Sequence, residues 1–395
     1  MLYNDYKGIK MPRLGFGAMR LPTLADGKTV DKEETFRMVD YAMANGVNYF
    51  DTAYPYHGGN SEIVMGEALA RYPRESYMLA DKYPGHQVMS EYDPAAIFEE
   101  QLKKCGVEYF DFYLLHNVNE KSVETYRDGR WGIVDYFIEQ RRLGRIKHLG
   151  FSTHARLDCL REFLDEFGAQ MEFCQIQLNY IDWTLQNARE KYEMLTERGI
   201  AVWVMEPVRG GKLASLAECA EEALAERRPG ASVASWAFRW LQGLENVKVI
   251  LSGMSNMEQM IDNVKTFSTD EPLTREEREL LYSIAESMKN TVPCTSCRYC
   301  LDSCPLGLNI PMFMATYNEL SFQLGVNSAI HIQSLPKEKL PNACVGCGMC
   351  SRACPQNIDI PLVNAKLVRM LDKVPSWAEI CREREEAANR LKAKK

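Results

Sequence analysis

Two tight runs of cysteine constrain this chain more than any other feature of its sequence. The first run is Cys294, Cys297, Cys300 and Cys304, and the second is Cys344, Cys347, Cys350 and Cys354. Both runs have the spacing C-x₂-C-x₂-C-x₃-C and are followed by proline. The first ten residues show no signal peptide, so we expect a cytoplasmic protein. In that reducing compartment, clustered cysteines indicate metal or cluster ligands rather than disulfides.

The spacing of the two runs is typical of [4Fe–4S] ligands in bacterial ferredoxins, where the fourth cysteine of each run ligates the other cluster. The sequence therefore predicts two [4Fe–4S] clusters. The two predicted ligand sets are Cys294, Cys297, Cys300 with Cys354, and Cys344, Cys347, Cys350 with Cys304. Two Cys₄ zinc sites are the alternative, but zinc ligands usually form two C-x₂₋₄-C pairs separated by a longer loop. Residues 309–335 read as mostly helical, which favours a mostly helical ferredoxin-like domain.

The first 270 residues alternate short apolar runs with amphipathic stretches. The apolar runs predict eight strands, at 14–18, 47–51, 77–81, 110–116, 148–152, 173–177, 201–206 and 247–251. This alternation predicts βαβ units with a parallel sheet, and eight strands in this length fit an α/β fold of the (β/α)₈ barrel type. We therefore divide the chain into a barrel at 1–270, and a linker helix, cluster domain and helical tail at 271–395. The alternating charges of the tail predict a solvent-exposed helix.

Composition excludes two classes of partner. The 395 residues carry a net charge of −7, whereas a nucleic-acid-binding protein needs a basic face. No apolar run approaches the ~20 residues of a membrane span. We expect a small-molecule substrate and neither a nucleic acid nor a membrane.

Four ionisable residues fall at or just beyond the ends of three neighbouring predicted strands. Asp51 ends the second strand, Tyr56 lies in the loop after it, Lys82 follows the third strand and His116 ends the fourth. Active sites of such barrels lie at the carboxyl ends of the strands. An ammonium beside a phenol favours the phenolate, so we expect Lys82 to lower the pKa of Tyr56. Tyr56 is then the general acid or base, Asp51 orients Lys82, and His116 binds a carbonyl oxygen.

Four sequence stretches, at 14–20, 46–53, 111–116 and 144–152, resemble the aldo-keto reductase superfamily. The whole chain resembles the subgroup that has a ferredoxin-type domain after the barrel. The resemblance implies that Asp51, Tyr56, Lys82 and His116 are the catalytic tetrad. It also implies an NAD(P)H site across the barrel mouth. The expected nucleotide contacts are Ser152, Thr153, Gln177, Met205, Arg209, Gly210, Gly211, Lys212, Ser252, Gly253, Gln259 and Asn263.

Two departures from the family pattern bear on the cofactor. Met205 stands where the family usually has an aromatic residue that stacks on the nicotinamide. The loop after the eighth strand and the helix through Val264 have no Lys or Arg for a 2′-phosphate, and Asp262 would repel one. A preference for NADPH is therefore doubtful, and NADH or a different cofactor is plausible.

Nicotinamides transfer two electrons as hydride, whereas iron–sulfur clusters transfer one at a time. A flavin, with its phosphate on the loop at 209–212, is one hypothesis for coupling them. The sequence favours an oxidoreductase that interconverts a carbonyl and an alcohol, coupled to one-electron transfer, in an anaerobic or micro-aerobic host. The alternative is an electron-transfer subunit or redox sensor whose barrel docks a redox partner protein.

Overall fold

A computed structural model describes residues 1–289, 291–294 and 296–392 of the chain. Its strands are β1 Tyr3–Tyr6, β2 Ile9–Pro12, β3 Leu14–Gly17, β4 Tyr49–Asp51, β5 Met78–Tyr83, β6 Phe110–Val118, β7 Ile146–Thr153, β8 Phe173–Gln177, β9 Ala201–Met205 and β10 Val247–Ser252. Strands β3 to β10 are parallel and form a closed barrel, in which β10 pairs with β3. The eight strands predicted from the sequence are therefore all present. They are recognisable because strands buried on both faces are nearly continuous apolar runs.

Helices surround the barrel and continue into the cysteine-rich region. They are α1 Lys32–Ala44, α2 Ser61–Leu69, α3 Pro94–Cys105, α4 Val123–Arg127, α5 Ile133–Arg142, α6 Leu157–Phe167, α7 Asp182–Leu185, α8 Ala188–Glu197, α9 Glu218–Arg227, α10 Val233–Gln242, α11 Met257–Thr266, α12 Arg275–Met288, α13 Tyr299–Asp302, α14 Ile310–Phe322, α15 Val326–Gln333, α16 Met349–Arg352, α17 Ile360–Leu371 and α18 Trp377–Lys392. Among the helices of the described ranges, none has the length and apolar character needed to cross a membrane.

The hairpin β1–β2 closes the end of the barrel opposite the carboxyl ends of the strands. Tyr6 and Met11 of the hairpin pack among side chains of the barrel interior, including Phe112 and Trp203. The hydroxyl of Tyr6 also donates a hydrogen bond to the Glu172 carbonyl. Because this end is filled by side chains, access to the barrel interior is from the carboxyl ends of the strands.

Helix α12 is part of the barrel layer rather than the linker expected from its charge pattern. Leu281, Ile284 and Ala285 are buried in the main barrel core. The indole of Trp240 on α10 donates a hydrogen bond to the Tyr282 hydroxyl, over 3.1 Å. Thr274 and Glu277 form the capping box expected at the start of this helix. The division of the chain at residue 270 remains a proposal.

The cysteine-rich region is built from two similar halves with their own core. Each cysteine run contains a four-residue helix, α13 or α16, and leads into a longer helix, α14 or α17. Asn309 caps α14 and Asp359 caps α17, and a proline occupies the first turn of each. The helices α14 and α17 pack on each other through Phe313, Met314, Val363 and Leu367.

The cysteine-rich region lies over the carboxyl ends of the barrel strands. The contacts that join the two parts include His331 to Glu120 at 2.9 Å, Asn327 to His154 at 3.1 Å, and Gln186 to Glu319 at 3.2 Å. The barrel residues in these contacts all belong to loops that follow barrel strands. The predicted catalytic side and the predicted clusters are therefore on the same side of the barrel.

Candidate active site

A cleft of about 360 Å³ opens where the barrel meets the C-terminal region. Its barrel wall includes residues at or after the carboxyl ends of β3, β4, β7, β9 and β10, and its other wall includes Asn327, Trp377 and Arg384. Asp51, Tyr56 and His116 line this cleft, and Lys82 is buried directly beneath Tyr56. The structure thus brings together the four residues that were predicted to act together.

The ammonium of Lys82 is held by three oxygen atoms. Its Nζ donates to Asp51 Oδ1 at 2.6 Å, to the Thr52 carbonyl at 2.6 Å and to the Tyr56 hydroxyl at 3.3 Å. Lys82 is 0% exposed and Asp51 3% exposed, so this ion pair is removed from water. A lysine in this position places a fixed positive charge under the phenol oxygen.

The pKa values of this group follow from burial and charge together. Burial lowers the pKa of Lys82, but the Asp51 carboxylate more than offsets this effect, so the pKa of Lys82 is raised and the ammonium persists. Burial raises the pKa of Tyr56, and the Lys82 ammonium offsets only part of that rise. The expectation of a lowered phenol pKa is therefore wrong as a net effect, because desolvation outweighs the neighbouring charge.

The backbone of His116 is fixed by a hydrogen bond, and its imidazole is uncharged. The Tyr126 hydroxyl donates to the His116 carbonyl at 2.7 Å, and the rings of His116 and Tyr56 are 5.9 Å apart. Burial, and then the proximity of His86 and Lys82, lower the pKa of His116 well below its usual value. A neutral imidazole here can donate one hydrogen bond. Tyr126 and Trp131 both lie in the segment after β6, where Trp131 contacts Tyr92.

Eight of the residues expected to contact a nucleotide line the cleft. They are Ser152, Met205, Gly210, Gly211, Ser252, Gly253, Gln259 and Asn263. Asn263 donates to Ser252 Oγ at 2.9 Å, which joins the middle of α11 to the end of β10. The Asn256 side chain caps α11 at Gln259. These eight residues form a continuous path from the barrel mouth to the first turn of α11.

Four other residues expected to contact the nucleotide lie outside the cleft lining. Thr153 donates to the Val118 carbonyl and accepts from the Ala155 amide, so its hydroxyl is used locally. Gln177 and Arg209 both turn towards Asp182, at 2.8 Å and 3.3 Å. The Arg209 guanidinium is buried and stacks over Phe322 of α14, and Lys212 is exposed outside the cleft. The contact of Arg209 with Phe322 involves the C-terminal region, which family position alone does not describe.

Arg20, rather than Arg209, places a positive charge in the cleft beside the loop at 209–212. It lies in the cleft next to Gly253 and Gly210, with one guanidinium nitrogen 3.2 Å from where a Cβ on Gly210 would be. Glycine at 210, with φ of 63°, leaves room for this side chain. Arg20 is the last residue of one of the stretches that resemble the family. Nothing in the sequence indicated that its side chain would enter the cleft. Asp262 also lines the cleft, and its carboxylate accepts from Ser232 at 2.6 Å.

The cysteine runs cross over in space. Cys294, Cys297, Cys300 and Cys354 surround one small cavity, and Cys344, Cys347, Cys350 and Cys304 surround a second. The structure thus brings together the two sets predicted from the ferredoxin spacing. No group of three metal-ligating side chains in the described ranges converges as the ligands of a single metal ion do. Thiolates spread around a cavity suit a multi-iron cluster better than one tetrahedral zinc.

A further cavity of about 220 Å³ lies between the first cysteine run and the barrel. Ser296 and Arg298 of the run line it together with His154 and Lys191 of the barrel. His154 and Asn327 also line the active-site cleft, so these two residues lie between the two spaces. The remaining cysteines lie elsewhere, with Cys219 exposed and the other four buried.

Sequence comparisons identify two family matches. The model of the aldo/keto reductase family matches residues 13–286, which is more than half of the chain, and that of the 4Fe-4S dicluster domain matches residues 293–358. The second match spans both cysteine cavities.

Two curated relatives and one solved structure give the level of similarity. "Probable aldo-keto reductase 1" of Glycine max is 28% identical over 214 residues, covering 52% of this chain and 58% of that protein. The NADH-specific methylglyoxal reductase of Escherichia coli strain K12 is 26% identical over 223 residues, covering 52% of this chain and 66% of that protein. The chain thus spans less than two thirds of either relative. The holo form of aldo-keto reductase AKR11C1 from Bacillus halodurans aligns with a TM-score of 0.57 and 25% identity, covering 70% of this chain and 93% of that chain.

Proposed function

Since this chain belongs to the aldo/keto reductase family and has a 4Fe-4S dicluster domain, we propose that it interconverts a small carbonyl compound and the matching alcohol at the barrel mouth. The observation that carries this proposal is the Lys82 ammonium, buried between the Asp51 carboxylate and the Tyr56 hydroxyl under an open cleft. Asp51 and the Thr52 carbonyl already hold the Lys82 ammonium, so its contact with a phenol that faces the cleft is not required for structure. The desolvation cost of burying such an ion pair can also exceed its Coulombic gain, so a stabilising role alone does not account for it.

In the proposed reaction Tyr56 transfers a proton. A bound nicotinamide would supply or accept hydride at the carbonyl carbon. As the carbonyl is reduced, Tyr56 donates its phenolic proton to the carbonyl oxygen, and the Lys82 ammonium stabilises the phenolate that remains. The neutral His116 imidazole donates a hydrogen bond that orients the carbonyl. Asp51 keeps Lys82 charged and in place.

We propose NADH as the nucleotide. Asp262 and the amides of Gln259 and Asn263 line the far end of the cleft, and none of these side chains offers positive charge for a 2′-phosphate. Arg20 and the glycine amides at 210 and 211 are suited to the pyrophosphate. A relative from Escherichia coli that is named NADH-specific supports the same choice. A flavin is less well supported, since Arg209 is paired with Asp182 rather than free for a flavin phosphate.

The two cysteine sets would hold [4Fe–4S] clusters, which supply one-electron transfer when bound. We propose that this chemistry is coupled to the barrel, because His154 belongs to both the active-site cleft and the cavity beside the first run. The second set opens towards Val345 and Leu306, which are 69% and 36% exposed and suit a redox partner protein. We also propose a reducing cytoplasm in an anaerobic or micro-aerobic host, because the eight cysteines must be free thiolates to hold oxygen-sensitive clusters.

Replacing Tyr56 with Phe tests the catalytic proposal. We expect Tyr56→Phe to lower carbonyl reduction by about 10²–10⁴-fold, the usual contribution of a general acid, with NADH binding and iron content unchanged. The measurement is NADH oxidation under anaerobic conditions, with a panel of small aldehydes and ketones. Tyr54→Phe is the matched control, because Tyr54 faces Glu100 and Lys104 rather than Lys82. Equal turnover in Tyr56→Phe and wild type would contradict the proposal.

The coupling proposal has a separate test. We expect NADH, added anaerobically to the iron-loaded protein, to bleach the visible cluster absorbance. If NADH binds and the absorbance stays unchanged, the barrel and the clusters act separately. The clusters would then serve an external partner or a sensing role, which is the alternative function.

A further inference from the structure

Helix α18 forms a wall of the active-site cleft. The Trp377 indole donates to the His86 carbonyl at 2.8 Å, and Trp377 is 4% exposed. Further along the helix, a Cβ on Gly58 would be 2.9 Å from the Cβ of Ala387, so the helix lies directly on the loop that carries Tyr56. The expectation of a solvent-exposed tail is therefore wrong, because one face of this charged helix is packed against the barrel.

Arg384 of this helix enters the cleft without an anionic partner. Its guanidinium carbon is 5.6 Å from the centre of the Trp377 ring, and the residue lines the cleft together with Tyr56 and His116. In the part of the chain that the structure describes, no Asp or Glu forms an ion pair with Arg384. The titratable groups that face it are the Cys381 thiol, the Tyr56 phenol and the imidazoles of His86 and His116. Burial raises the pKa of the thiol and the phenol and lowers the pKa of both imidazoles, so none of the four groups is charged at neutral pH.

A partly buried guanidinium with no counter-ion is unfavourable, because the charge has lost water and gained only a contact with the Trp377 ring. Arginine remains charged under these conditions and binds carboxylates through two parallel hydrogen bonds. The other arginine that lines the cleft, Arg20, lies beside Gly210 and Gly253, on the path expected for the nucleotide. Arg384 instead belongs to the side of Tyr56, His86 and Trp377, where the substrate must lie.

We propose that Arg384 binds a carboxylate of the substrate, and that the substrate is a 2-oxo acid or the corresponding 2-hydroxy acid. This inference deepens the proposed carbonyl chemistry at the same cleft. Arg384, Tyr56 and His116 line the same cleft, so one small substrate can present its carboxylate to Arg384 and its carbonyl to Tyr56 together. A 2-oxo acid is the smallest substrate that has both groups. Reduction adds hydride from NADH to C2 and the Tyr56 proton to the carbonyl oxygen. The carboxylate is unchanged, and NADH becomes NAD⁺.

Paired substrates separate charge recognition from general carbonyl reduction. We compare 2-oxo acids of increasing chain length, starting from pyruvate, with their methyl esters, which have the same carbonyl but no negative charge. In wild type the acids should have the higher kcat/KM. In Arg384→Gln, kcat/KM for the acids should fall by at least about 30-fold, mainly through KM, as expected when one partner of a buried charge pair is removed. The esters should change little, and Arg384→Lys should lie between.

Arg382→Gln is the matched control, because Arg382 is exposed on the same helix. The far-UV circular dichroism and iron content of each variant show that the fold is kept. An equal fall for acids and esters in Arg384→Gln, or a wild-type preference for the esters, would overturn the inference.

Binding of pyruvate to the Tyr56→Phe protein with NAD⁺, measured by titration calorimetry, keeps this inference distinct from the proposed function. One outcome is that pyruvate binds, that replacing Arg384 abolishes this binding, and that the wild-type protein reduces no carbonyl compound. This outcome supports the carboxylate site and contradicts the proposed reaction. Turnover of neutral carbonyls together with no binding of any 2-oxo acid supports the reaction and contradicts the site.

Discussion

Lys82 sets the charge beneath Tyr56, while burial sets the resting pKa of the phenol. The sequence predicted the four side chains because each lies at or just beyond a strand end. It did not predict whether burial or the Lys82 charge has the larger effect on the pKa of Tyr56, because desolvation depends on how the cleft is covered. In this protein part of that cover is Arg384 and Trp377, which come from a helix about 300 residues further along the chain. Local sequence thus predicts which residues form the site, whereas their protonation states depend on the folded molecule.

His154 predicts how stability depends on pH. Burial lowers the pKa of His154 to about 3, and Asn327 donates to its Nε2 at 3.1 Å. The unfolded chain, in which a histidine has a pKa near ~6.5, therefore binds one more proton than the folded chain below that pH. Stability falls as pH drops below about 6.5, and His154 contributes roughly 2 kcal/mol of that loss by about pH 5.

We expect His154→Gln, which keeps an acceptor for Asn327, to lose less stability than wild type between neutral pH and pH ~5. The measurement is the free energy of unfolding from anaerobic urea titrations of both proteins at the two pH values. His86 and His116 also have lowered pKa values, and their contribution is the same in both proteins. Parallel losses in wild type and variant would contradict the assignment to His154.

At the scale of elements, the strands were predictable and the surfaces of the helices were less so. Each barrel strand is buried on both faces and reads as an apolar run, which is why the eight strands were found. The hairpin β1–β2 was missed because Tyr6 and Met11 are separated by polar residues and charged side chains. Helix α18 did carry a signal, since Trp377, Cys381 and Arg384 follow the i, i+4, i+7 spacing of one helix face. The alternating charges on its other face obscured it.

Close packing between β7 and β8 makes one glycine of the barrel testable. A Cβ at Gly150 would be 2.4 Å from the carbonyl oxygen of Phe173 on the neighbouring strand. Because that atom belongs to the backbone, it cannot move aside as a flexible side chain can. We expect Gly150→Ala to destabilise the barrel by about 1–3 kcal/mol, the usual cost of overpacking.

Gly129→Ala is the control for this substitution, since no atom lies within 4 Å of its added Cβ. Its stability should remain within about 0.5 kcal/mol of wild type. Thermal unfolding of the two variants and wild type gives the comparison. Similar melting temperatures for Gly150→Ala and wild type would mean that β7 and β8 can separate without cost.

At the scale of the whole molecule, the crossed cysteine sets predict which substitutions act on the same cluster. Cys304 lines the cavity of the second run and not that of its own run. The double variant Cys304→Ala/Cys344→Ala should lose one cluster, as each single variant does, because both residues line the same cavity. The double variant Cys304→Ala/Cys294→Ala should lose both clusters, because the two substitutions act on separate sites and their effects add.

Iron and acid-labile sulfide counts on anaerobically purified protein measure this difference. Cys219→Ala, exposed and outside both runs, is the control and should keep the wild-type content. If Cys304 instead held the same cluster as Cys294, the variant with Cys304 and Cys294 replaced would lose one cluster. The variant with Cys304 and Cys344 replaced would then lose both. The sequence predicted this crossing from the ferredoxin spacing, whereas the seating of the cysteine-rich region on the barrel required the structure. Contacts such as His331 to Glu120 join residues 211 positions apart, and a linear sequence does not display that distance.

The position of α18 has a consequence for how the protein is made. The cleft lacks one wall until the ribosome has translated past residue 384 and α18 has docked. That docking uses Trp377 and Cys381 against Ile330 of α15, a helix between the two cysteine runs. The active-site cleft is therefore completed only after both cysteine runs have been translated. A chain that ends before residue 377 would contain every barrel strand, yet it would lack Trp377 and Arg384 at the cleft.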